Sequence, residues 1–138
     1  MNANERTVAA MYESFQRGDV PAILAQLSDD VRFEDWADNR AQRAGVPWMM
    51  PRRGKAGAAE FFGLVGAFKF SELKVLSVLS SADQVAVEVV IAAEVPSTGG
   101  AYRDEEIHLW SFDASGKVTR FRQYLDTAKH TAVARGER

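Results

Sequence analysis

The first part of the chain places its apolar residues at helical spacing. In the first helix they fall at i, i+3, i+4 and i+7, as Val8, Met11, Tyr12 and Phe15. One apolar stripe of this kind predicts an amphipathic helix with a buried face. Gly18 can end that helix, and Asp19 can cap a second, shorter one. A turn at Ser28–Asp30, a short strand at Val31–Trp36 and a third helix over about Lys55–Val65 are predicted to follow.

The period of the apolar pattern changes to two after the third predicted helix. Apolar residues then alternate with smaller or polar ones, which is typical of a half-buried strand. Four strands are predicted, over about Phe68–Leu79, Gln84–Val95, Ala101–Phe112 and Lys117–Thr127. The breaks between them are short and turn-like, so the strands are expected to pair as an antiparallel meander.

This order of elements predicts an α+β fold. The length of 138 residues is that of a single domain, which is expected to span residues 1–138. Strands of about ten residues or more imply a strongly twisted, curved sheet. Such a sheet, with helices across its mouth, encloses a cone whose mouth is a natural ligand site.

Two segments show no period. Residues 37–54 contain several arginines and an apolar cluster around Trp48, and two interpretations of them stay open. The segment can form a lid over a cavity, or it can dock on the body of the domain as a satellite cluster. The polar tail, residues 130–138, is predicted to be frayed, with His130 exposed to solvent.

Composition narrows the classes of function. The net charge is −2, with 17 basic and 19 acidic residues, so nothing favours nucleic acid or a membrane surface as a partner. The absence of cysteine excludes disulfides, thiolate nucleophiles and cysteine-ligated metals. The N-terminus does not resemble a signal peptide, and no apolar run approaches the length of a membrane span. A cytoplasmic protein is expected.

Four motifs point to a known family. They are Gly18-Asp19-Val20, SDDVRFED at 28–35, Gly54 with AAEFF at 58–62, and FDASGKVTRFRQYLDT at 112–127. With these motifs the chain resembles the nuclear-transport-factor-2-like superfamily, in its SnoaL-like, ketosteroid-isomerase-related branch. The resemblance implies a cone-shaped, cystatin-like α+β fold with three N-terminal helices, and often a homodimer formed through the outer sheet face. It implies no single activity, because the superfamily includes isomerases, dehydratases, epoxide hydrolases, polyketide cyclases and non-catalytic binding proteins.

Asp35 is the first candidate catalytic residue. Alternation puts Val31, Phe33 and Asp35 on one side of the short strand, so a carboxylate shares a face with core residues. The resemblance places Asp35 where ketosteroid isomerases have a general-base aspartate. Such a base, in an apolar cavity, suits proton abstraction near neutral pH. The alternative is a structural carboxylate satisfied by backbone amides or by an arginine of residues 37–54.

His108 is the second candidate catalytic residue. The resemblance aligns it with the oxyanion-hole aspartate of ketosteroid isomerases, whereas their oxyanion-hole tyrosine falls near Met11, with Tyr12 one position away. Steroid isomerisation itself is therefore not expected. An acid of the epoxide-hydrolase-like proteins falls near Gln123, which argues against that activity too. His108 can donate to an oxyanion or pair with the candidate base, or it can be a buried histidine bonded to a neighbouring strand or to Glu106.

Strand parity completes the predicted site. Glu106, His108 and Trp110 share one face of their strand, and the resemblance identifies that face as concave. The predicted ligand-binding residues are Tyr12, Phe15, Phe33, Trp48, Phe62, Glu106, Trp110 and Gln123. Two carboxylates and a histidine can ligate a metal, but no spacing motif supports a site, so no metal is predicted.

These residues favour a cofactor-independent acid–base enzyme that acts on a small hydrophobic molecule with a carbonyl-like group. Asp35 would move a proton and His108 would stabilise the resulting charge. Isomerisation, dehydration and cyclisation all fit this chemistry. The alternative is a non-catalytic module or dimeric scaffold that binds a small ligand, because the oxyanion-hole tyrosine is displaced.

Overall fold

A six-stranded sheet is the centre of the computed structural model, which describes residues 1–138. The helices are α1 (Ala3–Gln16), α2 (Val20–Leu24), α3 (Arg40–Arg43), α4 (Gly54–Val65) and α5 (Thr127–Ala134), with a 3-10 turn at Pro47–Met49. The strands are β1 (Leu27–Phe33), β2 (Arg52–Arg53), β3 (Lys69–Ser80), β4 (Gln84–Val95), β5 (Gly100–Phe112) and β6 (Val118–Tyr124). Their order is β2-β1-β6-β5-β4-β3, and only β1 and β6 run parallel. The predicted α+β class and the curved, mostly antiparallel sheet are confirmed.

Strands β3 to β6 form the predicted meander. Alternate residues of β4 are buried beneath the helices, and these are Val85, Val87, Val89 and Ile91. Together with apolar residues of α1, α4 and the neighbouring strands they belong to one core cluster. The period-two pattern of the sequence therefore identified both the strands and their inner face.

Side-chain caps set the start of the first two helices. Asn2 accepts the backbone N–H of Glu5 at 2.8 Å, and Asp19 accepts that of Ala22 at 3.1 Å. Between the helices, Gly18 has a φ of +72°, a left-handed conformation that glycine adopts without steric cost. The chain can therefore turn sharply, which brings α2 back against α1 and α4.

The first strand differs from its prediction at both ends. Ser28–Asp30, predicted to be a turn, lie within β1. Leu27 and Arg32 pair with Val118 and Arg120 of β6, and the residues between them form an irregular, bulged part of the strand. The strand also ends at Phe33 instead of reaching Trp36. Pairing across the sheet, which the local sequence does not show, decides both limits.

The prediction of a frayed tail is wrong. Residues Thr127–Ala134 form α5, in which His130 is 1% and Val133 2% exposed. Asp126 caps this helix by accepting the backbone N–H of Lys129 at 3.0 Å. The polar composition of the tail was misleading, because His130 finds polar partners inside the protein.

The segment 37–54 docks on the body of the domain, as one of its two interpretations predicted. Trp48 and Met49 are 2% and 0% exposed and belong to the core cluster. The Arg52 guanidinium donates to the backbone oxygens of Pro47 and Met50 at 2.9 and 3.2 Å, which holds the turn around Trp48.

The outermost strand, β3, carries apolar side chains that no other part of the chain covers. Val75, Leu76, Val78 and Leu79 are 43–62% exposed. The homodimer implied by the family resemblance stays a prediction. No helix of the structure is both long and apolar enough to cross a membrane.

The packing of α5 can be tested with Val133→Ala. Because Val133 is 2% exposed, losing its two methyl groups should lower the free energy of unfolding by about 1–3 kcal/mol. Urea denaturation measures this change. The exposed neighbour Arg135 provides the control, Arg135→Ala, which should change stability by less than about 0.5 kcal/mol. Equal stability of both variants would mean that the tail does not pack.

Candidate active site

An apolar cavity lies between helices α1 and α4 and the concave face of the sheet. The cavity has a volume of about 80 Å³, and its walls are almost entirely apolar or aromatic. Polar groups on its walls come from Tyr12, Tyr102, His108 and Gln123. A wider surface groove of about 630 Å³ adjoins it, because Phe15 and Phe70 belong to the walls of both.

The structure brings most of the predicted ligand-binding residues to this cavity. Those that line it are Tyr12, Phe15, Trp48, Phe62, Trp110 and Gln123, together with the predicted catalytic residue His108. Phe33 lies behind the wall, with its ring 5.7 Å from that of Phe62. Glu106 lies behind His108, to which its carboxylate is bonded.

Asp35 is not part of the cavity, and its predicted position on the inward face is wrong. Its carboxylate is 28% exposed and contacts Arg32 at 2.8 Å and Arg122 at 3.3 Å. The reason is Glu34, whose φ of +57° interrupts the strand and reverses the alternation of side chains. Asp35 is therefore held by arginines, as its structural alternative predicted, but neither arginine comes from residues 37–54.

The buried acid of this segment is Glu34, which sequence reasoning missed. It is 0% exposed and accepts hydrogen bonds from Trp36 at 2.8 Å and from the backbone and side chain of Gln123 at 3.1–3.2 Å. Burial raises the pKa of Glu34 to about 7, although these hydrogen bonds lower it. No sequence signal distinguishes Glu34 from Asp35, because the left-handed residue that selects between them arises in the tertiary structure.

Glu34 also helps to orient Gln123 at the cavity wall. The side-chain amide of Gln123 donates to Glu34 at 3.2 Å and to the backbone oxygen of Trp48 at 3.2 Å. Both amide hydrogens are therefore used within the protein. The carboxamide oxygen is left as a hydrogen-bond acceptor for a ligand.

Tyr12, His108 and Glu106 form the polar end of the cavity. The Tyr12 hydroxyl lies 2.7 Å from His108 Nδ1, and His108 Nε2 lies 3.1 Å from Glu106 Oε1. The indole of Trp110 donates to the Tyr12 oxygen at 3.3 Å. Tyr12 comes from α1, whereas the other three residues alternate along β5, so one strand supplies most of the network.

The ionisation of Glu106 determines where the protons lie. Burial raises the pKa of Glu106, but the hydrogen bond from His108 and the nearby N–H of His130 outweigh that effect and lower it to about 2. An ionised carboxylate only accepts hydrogen bonds, so His108 carries its proton on Nε2. Its Nδ1 is then free to accept the Tyr12 proton. Burial raises the pKa of Tyr12 above its ordinary value, so that hydroxyl stays protonated.

His130 is the second residue that sequence reasoning missed. Its Nε2 lies 3.0 Å from Asp104 Oδ2 and 3.2 Å from Glu106 Oε2. Its Nδ1 accepts the indole N–H of Trp48 at 2.9 Å. Burial lowers the pKa of His130, but the contacts with Asp104 and Glu106 raise it by more. A histidine in a polar tail resembles a surface residue, so no sequence signal marks this position as buried.

Asp104, Glu106 and His130 are a donor set that a metal can use. Their ligand atoms lie within 4.8 Å of one another, and all three residues are buried. However, Trp48 donates to His130 Nδ1, so the single imidazole proton lies on Nε2, between the carboxylates. A metal on Nε2 would move that proton to Nδ1, against the Trp48 N–H. The arrangement favours a proton over a metal. Asp35 belongs to neither set, because Arg32 and Arg122 hold its carboxylate outside the cavity.

Comparison with known proteins places the chain in a family. The sequence model of the SnoaL-like domain matches residues 8–121. The chain belongs to the SnoaL-like domain family. No curated protein matches it in sequence.

Solved structures agree on the fold. An NTF2-like protein of unknown function from Burkholderia pseudomallei K96243 is 24% identical, with 97% of this chain and 98% of that chain covered and a TM-score of 0.78. TerC, crystallised with polyporic acid, is 20% identical, with 96% and 98% covered and a TM-score of 0.75. A candidate polyketide cyclase from Xanthomonas campestris pv. campestris is 21% identical, with 95% and 96% covered and a TM-score of 0.70. These structures show that the fold is the NTF2-like fold that the family resemblance implied.

The ionised state of Glu106 has a measurable consequence for stability. Because the pKa of Glu106 falls from 4.5 to about 2 on folding, its ionisation stabilises the protein above about pH 4.5. That contribution is lost as the pH falls through 2, and its full size is roughly 3 kcal/mol. Glu106→Gln should therefore destabilise the protein by about that amount at pH 7 and by roughly half as much or less at pH 3, as measured by urea denaturation.

The adjacent exposed acid supplies a matched control for this measurement. Glu105 lies on the opposite face of β5, so Glu105→Gln should differ little from the wild type at either pH. A destabilisation of Glu106→Gln that is the same at pH 3 and pH 7 would show that Glu106 is not held ionised.

Proposed function

We propose that this protein is a cofactor-independent acid–base enzyme of the isomerase or cyclase type. Its substrate is a small, largely apolar molecule with a carbonyl or enol oxygen. The observation that carries the proposal is the Tyr12 hydroxyl, which borders the apolar cavity and lies 2.7 Å from His108 Nδ1. Behind His108 stands the carboxylate of Glu106, at 3.1 Å.

The network can take a proton from a carbon next to a carbonyl group. The C–H bond breaks, its electron pair forms the enolate, and the proton binds the Tyr12 oxygen as the Tyr12 proton passes to His108 Nδ1. Because the pKa of Tyr12 is raised by burial, a free tyrosinate is unfavourable, so the two transfers must be concerted. The product is an imidazolium paired with the Glu106 carboxylate.

The same transfer prepares the return step. Once His108 is an imidazolium, its Nδ1–H donates to the Tyr12 oxygen, and the Tyr12 proton points at the enolate. That hydroxyl can stabilise the enolate oxygen and then protonate a different carbon, which completes an isomerisation. Attack of the enolate carbon on a second carbonyl group of the same molecule would instead give a cyclised product.

The cavity walls support this chemistry. Aromatic side chains, such as Phe62 and Trp110, exclude water and so strengthen the interactions among the polar groups. The free oxygen of Gln123 can accept a hydrogen bond from a hydroxyl group of the ligand. The similarity in fold to a candidate polyketide cyclase agrees with a cyclase-type reaction.

A binding function without chemistry is the second candidate. It is favoured by the closed hydrogen bonding of the polar groups, since Tyr12, His108 and Glu106 satisfy one another without a ligand. TerC, a protein of the same fold, was crystallised with polyporic acid, which is compatible with binding as well as with catalysis.

Hydrogen–deuterium exchange distinguishes the two functions without knowledge of the natural substrate. Cyclohex-2-enone in D2O, followed by proton NMR, reports on proton abstraction next to a carbonyl group. The wild type should accelerate the exchange. Tyr12→Phe and His108→Gln should each reduce the acceleration by about a hundredfold or more, because general acid–base catalysis contributes about that factor.

Asp35→Asn is the comparison that separates this site from the one expected from sequence. It removes a carboxylate that lies outside the cavity, so exchange should persist. Binding of the enone, detected through the fluorescence of Trp48 and Trp110, without any exchange would support the binding module. Loss of exchange in Asp35→Asn, but not in Tyr12→Phe, would contradict the proposed site.

A further inference from the structure

Glu106 is shared between two imidazoles, only one of which reaches the cavity. Its Oε1 is bonded to His108, and its Oε2 lies 3.2 Å from His130 Nε2. No hydrogen-bond donor is well aligned with Oε2, which is fully buried. The negative charge on this oxygen is therefore stabilised mainly by the nearby N–H of His130. That N–H points more directly at Asp104 Oδ2, which is 3.0 Å away.

The direction of the His130 N–H is set from the other side of the ring. Trp48 is buried, and its indole N–H can only donate, so His130 Nδ1 must be the acceptor at 2.9 Å. In the opposite tautomer, an N–H would face the Trp48 N–H, and a bare Nε2 would face two carboxylates. Both contacts would be repulsive, so only one tautomer of His130 fits.

The groups around His130 agree with this assignment. Asp104 also accepts the backbone N–H of Asp126 at 3.2 Å and lies 3.6 Å from Lys129 Nζ, so it stays an acceptor. The ring of Tyr102 packs on the imidazole with 4.6 Å between centroids. Neither Asp104 nor Tyr102 donates a hydrogen bond to His130 Nδ1, so neither competes with Trp48.

The hydrogen bonds therefore run from two indoles toward one carboxylate. On one side Trp110 donates to Tyr12, Tyr12 to His108 and His108 to Glu106. On the other side Trp48 donates to His130, whose N–H faces Glu106 and Asp104. Because each end can only donate and the centre can only accept, every proton between them has one position.

We propose that Trp48 and His130 are positioning residues that act through Glu106 to hold His108 in the Nε2–H tautomer. In that tautomer alone, His108 Nδ1 can receive a proton from Tyr12. The consequence for catalysis rests on the proposed function, whereas the tautomers themselves do not. A residue of the C-terminal helix and one of the 37–54 segment would thus set the state of an acid–base pair that they do not touch.

Nitrogen-15 NMR of the two histidine rings tests this inference without a substrate. In the wild type at alkaline pH, where both imidazoles are neutral, His108 and His130 should each carry a proton on Nε2 and none on Nδ1. Trp48→Phe keeps an aromatic ring but removes the donor, so His130 should gain a proton on Nδ1. His130→Leu should leave Glu106 without its second donor, so Glu106 should bind a proton and His108 should lose its strict Nε2–H tautomer.

Two further variants guard against effects of altered packing. His130→Gln supplies an amide N–H toward the carboxylates and an oxygen toward Trp48, so His108 should keep the wild-type tautomer. Trp36→Phe removes a different indole donor, one that bonds a separate buried carboxylate on Glu34 at 2.8 Å, and should change neither histidine. If His130→Leu does not fold, the inference is still tested by Trp48→Phe, through the signals of both histidine rings, and by His130→Gln, through the signal of His108.

The outcomes separate this inference from the proposed function. Altered tautomers in Trp48→Phe, with wild-type ones in His130→Gln, support the inference whether or not the enone exchanges deuterium. An unchanged His130 tautomer in Trp48→Phe, or an unchanged His108 tautomer in a folded His130→Leu, would overturn it. Where the wild type catalyses exchange, Trp48→Phe should slow it about tenfold, and a rate equal to that of the wild type would also count against the positioning role.

Discussion

A carboxylate that is 3% exposed can stay ionised only if hydrogen-bond donors replace the water it has lost. Glu106 is such a group, and the architecture of its surroundings follows from this need. His108 supplies one donor from the same strand, and His130 faces the other oxygen from the C-terminal helix. Since Glu106 can only accept, and Asp104 accepts beside it, the two carboxylates impose a direction on hydrogen bonds that extend to Trp48 and Trp110. Tyr12 and His108, the candidate acid–base pair, lie between Trp110 and Glu106 in this network.

The fold brings these groups together by simple means. Alternation along β5 places Asp104, Glu106, His108 and Trp110 on the concave face, two residues apart. The first two face α5 and the last two face α1. Tyr12 reaches His108 from α1, and His130 reaches Glu106 from α5. Polar groups buried so deeply weaken a domain if any one of them lacks a partner. The same network therefore ties the first and last helices to the sheet and shapes the polar end of an otherwise apolar cavity.

One local backbone feature decides which of two neighbouring acids is buried and which is exposed. The left-handed conformation of Glu34 turns its carboxylate inward, behind Gln123, and turns Asp35 outward to two arginines. The outward face then continues through Arg122, whose guanidinium lies 4.5 Å from the centre of the Trp36 ring. A family resemblance that aligns Asp35 with a catalytic base is thus compatible with the sequence but not with the geometry of this chain.

The sequence by itself determined the α+β class, the four long strands, the inner face of β5 and the apolar residues that line the cavity, because helical and period-two patterns report directly on which side of an element is buried. The pattern showed which residues of β5 share a face, and the family resemblance implied that this face, with His108 and Gln123, points inward. Only the tertiary structure decided that Tyr12 meets His108, that Glu34 replaces Asp35 inside, and that the tail is a packed helix carrying His130. Those outcomes depend on hydrogen bonds between residues that lie 82–96 positions apart in the chain, as for Trp48 with His130 and Tyr12 with His108, and on one backbone angle. Neither leaves a periodic trace in the sequence.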